Sequence, residues 1–245
     1  FWCSMIAPLA VTANGAIIEH QNKTLFLLPG PPTECLPLFS HHVLPYLTQH
    51  PNIPCQSAKK WLLFGIGEST AAEKIDDLID NPSLTIGYRA HYPYLEVKFF
   101  ADNKSLLTQP AAQFEGAFSE YIISDCGQTA SMQLRDLLHE HALSIHIHDD
   151  VTRGLLEHTI TRPGANTVLH WHAEQPQPDL TVHISGVTAY WKQSSHHTDE
   201  LTLTFSLPHQ HTIQSTVKLS HQHVMRWIVE KVCIDILQQL HRHVI

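Results

Sequence analysis

His146-Ile147-His148-Asp149-Asp150-Val151-Thr152-Arg153-Gly154-Leu155-Leu156 passes from one structural period to another. Residues 144–148 read as a short strand and 152–160 as a helix, so Asp149-Asp150-Val151 is a strand-to-helix turn. Upstream of it, 132–141 forms an amphipathic helix. Downstream, 167–172 and 180–184 read as strands, the second aimed at Ser185-Gly186, and 201–206 with 212–219 alternate as a hairpin pair. Residues 221–244 make the longest helix, with Val224, Ile228, Cys233, Ile236 and Leu240 on its apolar stripe. That stripe either covers the domain's own sheet or offers a dimer surface. Alternating strands and helices with one antiparallel pair predict a three-layer α/β domain over 128–245.

Two further blocks precede it. In 57–127, the apolar strand Trp61-Leu62-Leu63-Phe64 is followed by Gly65-Ile66-Gly67 and a helix starting at Glu68 or Ser69, with Ala71, Ala72, Ile75, Leu78 and Ile79 at helical spacing. Asn81-Pro82 ends it. Residues 84–89 and 94–101 alternate as a hairpin around Tyr92-Pro93, and a helix covers 111–121. The order β-α-β-β-α predicts a small α+β sandwich. In 1–56, residues 23–28 read as a buried strand broken by Pro29-Gly30-Pro31-Pro32, and Thr33 is placed as the cap of a helix reaching Leu47. One strand, turn and helix cannot bury both faces of a sheet, and Phe1-Trp2-Cys3-Ser4-Met5 reads as a cut end inside a longer chain rather than a targeting signal.

Bulk composition narrows the function classes. The chain has 245 residues, with 43% hydrophobic and 16% charged, and a net charge of −8 with its 21 His neutral. That balance moves toward zero as pH falls through about 6.5. An acidic chain without a Lys/Arg cluster argues against nucleic-acid binding. No apolar run approaches the roughly 18 residues of a membrane span. The five Cys (3, 35, 55, 126, 233) are odd in number, widely spaced and without C-x-x-C, so a reducing, cytoplasmic setting is expected.

Three sets of motifs carry a resemblance. Thr12-Ala13-Asn14-Gly15 followed by Leu28-Pro29-Gly30-Pro31-Pro32-Thr33-Glu34 resembles the T-A-x-G and L-P-G-V-P-x-E segments of CinA proteins (competence/damage-inducible protein A). Phe64-Gly65-Ile66-Gly67-Glu68-Ser69 with Asn81-Pro82 is similar to that family's F-G-x-x-E-S and N-P pattern. Ile86-Gly87-Tyr88-Arg89 with Leu95-Glu96-Val97-Lys98 resembles a divergent CinA-like subgroup. The resemblance implies a strand-helix remnant of a molybdopterin-binding-like (MoaB/Mog-type) domain over 1–56. It implies a KH-like α+β domain over 57–127 and a nicotinamide-nucleotide amidohydrolase-like domain over 128–245.

In that last domain the family signature is A-E-S-C-T-G-G-L-L, with Ser as nucleophile. Thr152, Gly154, Leu155 and Leu156 match it, while Asp149 falls on Glu, Asp150 on the nucleophile and Arg153 on the first Gly. Pro163-Gly164-Ala165 matches a later P-G-A. The family's Lys base has no counterpart in 169–178, and its V-T-G-x-A-G-P reads Ile184-Ser185-Gly186-Val187-Thr188-Ala189-Tyr190. Asp150 offers no hydroxyl to attack an amide, and its charge repels a developing oxyanion. The expectation is a degenerate site built from Asp149, Asp150, Thr152, Gly154, Ser185 and Gly186, serving a structural, oligomerising or ligand-sensing role in pyridine-nucleotide metabolism. Gly30 and Glu34 are the residues placed nearest the first domain's nucleotide site. No cofactor is expected; a nucleotide ligand and a homodimer are, with no nucleic-acid or membrane partner.

Two rival readings stand beside it. One is an active nicotinamide mononucleotide amidohydrolase using displaced residues such as Ser144 or Ser185. The other is a metal-dependent hydrolase built on His146, His148 and Asp150, since i and i+2 share a strand face. Six His-x-His pairs occur in the chain, and solvated His-rich faces explain them without a metal. Ser69 is a helix-start residue rather than a nucleophile, because G-x-S-x-G is absent.

Overall fold

The computed structural model describes residues 2–6, 14–49, 56–161, 169–170, 178–191, 199–206, 212–219 and 224–244. They fall into two compact units, Phe1–Cys55 and Gln56–Ile245. In the first unit, β1 (Trp2–Ile6), β2 (Gly15–His20) and β3 (Lys23–Leu27) form an antiparallel meander. Gln21 and Asn22 both take positive φ, 47° and 60°, which is what a two-residue hairpin joining His20 to Lys23 requires. Helix α1 (Pro32–Leu38) runs through a π-helical turn at Phe39–Val43 into α2 (Leu44–Thr48). The helix starts two residues earlier than Thr33 leads one to expect, and Pro31 occupies the cap position. Pro32 is at ease there because the first helical N–H has no partner to lose. Tyr46 fastens α2 to the hairpin, donating to Glu19 Oε1 at 2.7 Å and lying 2.8 Å from Thr24 Oγ1.

The second unit begins with β4 (Ser57–Phe64), α3 (Glu68–Leu78), β5 (Thr85–His91), β6 (Tyr94–Ala101), α4 (Ser105–Ala117) and β7 (Ile122–Ser124). The strands order as β5-β6-β4-β7, all antiparallel. Trp61 and Leu63 point into a core with Val97, Phe99, Ile75 and Phe114. Leu62 and Phe64, on the opposite face, join Tyr94 and pack against Ile123, Trp227 and Ile234. Strand β4 is therefore buried on both faces, and that explains its unbroken apolar run. Helix α4 starts six residues before the expected 111, because Pro110 lies inside the helix rather than before it.

The chain continues as α5 (Ala130–Glu140), β8 (Ile145–Asp149), α6 (Leu155–Ile160), β9 (Leu169–His170), β10 (Leu180–Gly186), α7 (Thr188–Trp191), β11 (Asp199–Ser206), β12 (Ile213–Leu219) and α8 (Val224–His243). Thr129 caps α5, its hydroxyl accepting from the Met132 N–H. The sheet order is β12-β11-β10-β8-β9, with β8 parallel to both neighbours and β11 and β12 antiparallel. Ile145, Ile147, Leu180, Val182, Ile184, Leu201, Leu203 and Phe205 form one cluster with α5, α6 and α8. Ile228, Cys233, Ile236 and Leu240 are fully buried in it, so the stripe of α8 covers the domain's own sheet. The fold is mixed α/β with several sheets. Helices α5, α6 and α8 share one face; a third layer is not formed by them, and 162–168, 171–177 and 192–198 lie outside the described residues.

Candidate functional site at the ends of two parallel strands

Strand β8 sits between β10 and β9. The chain leaves β8 through α6 toward β9 on one side, while β10 lies on the other. Such a divergence marks the carboxyl ends of the two strands, the place where open α/β sheets bind ligands. Asp149, Asp150, Thr152 and Gly154 follow β8 into this place, and Ser185 and Gly186 end β10 beside them. The Asp150 N–H donates to Ile184 O at 3.1 Å and continues the ladder past the strand end.

Asp149 works for the backbone. Its Oδ1 accepts from the Val151 N–H at 2.9 Å and the Thr152 N–H at 2.7 Å, and its Oδ2 accepts from the Thr152 hydroxyl. Thr152 is buried, and its Oγ1 in turn accepts from the Leu156 N–H at 3.1 Å. The two residues thus close the turn and seat the first turn of α6.

Asp150 points the other way. Its side chain is 70% exposed, and its Oδ2 lies 2.9 Å from Nε2 of His183, which is 50% exposed. Asp150 is therefore a carboxylate held by an imidazole on the neighbouring strand. His183 was not singled out in the sequence, since nothing local marks a pairing across 33 residues.

Arg153 has φ 53° and Gly154 φ 86°. The turn keeps a left-handed backbone that suits two glycines, yet an arginine fills the first position. Its guanidinium stacks over the Trp191 ring at 3.6 Å, and the Trp191 indole N–H donates to Val151 O at 3.1 Å. An arginine–tryptophan stack is thereby fastened to the turn.

Gly186 is obligatory: φ is 104°, and a Cβ there would sit 2.0 Å from Glu200 O. Val187 follows at φ 56°, its N–H bonded to the same oxygen at 2.9 Å. Ser185 pairs with Thr202 on the face that carries His183. Ser144 precedes β8 at its other end, roughly 16 Å from Asp149 at strand rise. It is engaged there through its N–H with Asp179 Oδ2 at 2.8 Å.

His146 and His148 share a face of β8 with ring centroids 4.3 Å apart; His146 is buried and His148 exposed. Among the described residues no group of three or more His, Cys, Asp or Glu could hold a metal ion as the side chains stand. Of 169–178, only Leu169, His170 and Pro178 are described, and 163–165 are not. In the first unit, Gly30 precedes α1 with open space around its Cα, and Glu34 stands in the first turn of α1, where the helix dipole favours a carboxylate.

No protein-family model matches the chain. Curated proteins do. A protein of Thermoanaerobacter pseudethanolicus named competence-damage inducible protein is 31% identical over 183 residues, 72% of this chain and 44% of its own length. One of the same name from Caldicellulosiruptor saccharolyticus is 32% identical over 165 residues, 64% of this chain and 40% of its own. A CinA-like protein of Dictyoglomus thermophilum is 33% identical over 152 residues, 59% of this chain and 37% of its own.

The chain belongs to the CinA family.

This CinA-family chain spans less than half the length of those relatives. Among its described residues no helix is long and apolar enough to cross a membrane.

Proposed function

We propose that this CinA-family chain belongs to pyridine-nucleotide metabolism and that its C-terminal domain has the amidohydrolase-like fold without amidohydrolase chemistry. In this reading the first unit is the end of a molybdopterin-binding-like domain and 57–127 is KH-like. The observation that carries the proposal is the Asp150–His183 pair at the strand ends. A carboxylate occupies the place of the nucleophile, supplies no attacking hydroxyl and opposes an oxyanion. The Arg153–Trp191 stack beside it supports the same reading, because a long side chain replaces the glycine that lets backbone approach a substrate. The domain's role is then structural: it buttresses β4 and β6 through α8 and supports the nucleotide-processing part of a longer protein, as a cytoplasmic homodimer.

A second reading, ligand sensing, is favoured by the strand order, which puts the ends of β8 and β10 at the topological switch point. Isothermal titration of the 245-residue protein with nicotinamide mononucleotide and with its deamidated product separates the two. The structural role predicts no heat up to millimolar ligand. Micromolar binding to either nucleotide, weakened by Arg153→Ala, replaces it with a sensor.

A further inference from the structure

His148 and His183 are exact register partners on the parallel strands β8 and β10, so their Cα atoms are about 4.8 Å apart and their side chains share one face. Asp150 follows His148 by two residues, and its carboxylate lies on that same face, against His183. We propose that His148, His183 and Asp150 form a two-histidine, one-carboxylate site for a divalent first-row transition ion such as nickel, cobalt or zinc.

The distances carry the case. His183 Nε2 and Asp150 Oδ2 are 2.9 Å apart. Two donors at right angles on one ion, each with a bond of about 2.1 Å, are separated by about 3.0 Å. The two groups are hydrogen-bonded to each other, so an ion would take the place of that bond with the two donors at nearly the same separation. The rings of His148 and His183 have centroids 5.9 Å apart at 72°. Two imidazoles on neighbouring corners of one ion have centroids roughly 4.5–5 Å apart, given the same bond length. As the side chains stand, no group of three or more His, Cys, Asp or Glu among the described residues could hold an ion, and His148 would have to close a gap of about 1 Å by rotating its exposed side chain. The ring of His146 lies 4.3 Å from that of His148 on the same strand face. Imidazole and carboxylate donors select the nickel–cobalt–zinc group over magnesium or calcium. A facial triad leaves the remaining corners open to water or a ligand's oxygen atoms.

The site does not depend on the structural role proposed above, and either stands without the other. The chain's 21 His make weak surface binding certain, so the test is selectivity. Cobalt(II) is titrated into the full protein at pH 7.5 by visible absorption, and nickel by calorimetry, in parallel with three variants. These are His148→Gln with His183→Gln, Asp150→Asn alone, and the control His241→Gln with His243→Gln on α8. The expected result is one micromolar site per chain. The double variant weakens it by more than the about 10–100-fold that loss of an outer-shell partner costs, Asp150→Asn weakens it less, and the control leaves it unchanged. The altered side chains are exposed, and a thermal melt confirms that each variant folds. A set of equivalent weak sites in the wild type, or a tight site that survives the double variant, overturns the proposal.

Discussion

Arg153 holds a left-handed backbone that costs an arginine free energy and a glycine none, and offsets part of that cost by stacking on Trp191. Arg153→Ala keeps the strain and loses the stack, so urea denaturation should show a loss of about 1 kcal/mol. Arg153→Gly removes both and should lie closer to wild type. Gly186→Ala is a different case, because its Cβ would overlap Glu200 O at 2.0 Å. A loss of more than about 3 kcal/mol, or no soluble protein, is expected. Tyr94 sits in the buried junction between β6, α5 and α8. Its hydroxyl donates to Glu230 and accepts from the Ala130 N–H at 3.0 Å, and Glu230 also takes the Ser131 N–H at 3.0 Å and hydroxyl at 2.7 Å. Burial, reinforced by Glu230, pushes the Tyr94 phenol far above its ordinary value, so it remains a donor. Tyr94→Phe leaves Glu230 short of a donor and should cost about 1–3 kcal/mol by the same measurement. None of these contacts is legible from sequence, because each partner lies on another element, from 14 to 136 residues away; the Asp149–Thr152 contact is local, the two being three apart in one turn.

Among elements, β4 shows what a sequence does reveal. Trp61-Leu62-Leu63-Phe64 is too continuous for a strand with one wet face, and it is buried on both. The hairpin β5–β6 and the pair β11–β12 follow from alternation, as does α8 from its stripe. The start of α4 was hidden by Pro110, and α6 begins at Leu155 because the Asp149–Thr152 bonds hold the preceding turn out of the helix. Charge on these elements gives an acid signature. The Glu96 carboxyl on β6 is held below its ordinary value chiefly by the hydrogen bond from Lys98, 2.8 Å away. Glu115 on α4 is lowered by Lys59 and then by Trp61. A carboxyl lowered by folding adds stability that is complete above its unfolded value near 4.5 and is lost as pH falls through the folded value. The thermal midpoint should therefore fall as pH drops below 4.5, and Lys98→Met should flatten that fall.

At the scale of the molecule, two sheets share the unit Gln56–Ile245. Trp227 of α8 meets the Phe64 ring at 5.1 Å, and Ile234 packs on the same cluster. Amides of β4, β6 and α8 should exchange hydrogen with similar free energies, and Trp227→Ala should make the two sheets exchange separately. The family was legible because its turn motifs are local. The geometry of the candidate site was only half legible: the sequence placed Asp149, Asp150 and Thr152 in one strand-to-helix turn, but gave no sign of the His183 partner or of Arg153 stacked on Trp191. The most direct measurement is ammonia release from nicotinamide mononucleotide by the purified protein. No release above the protein-free rate is expected, with wild type and Ser185→Ala indistinguishable. Release that scales with protein and disappears on Ser185→Ala would contradict the proposal that the domain lacks amidohydrolase chemistry.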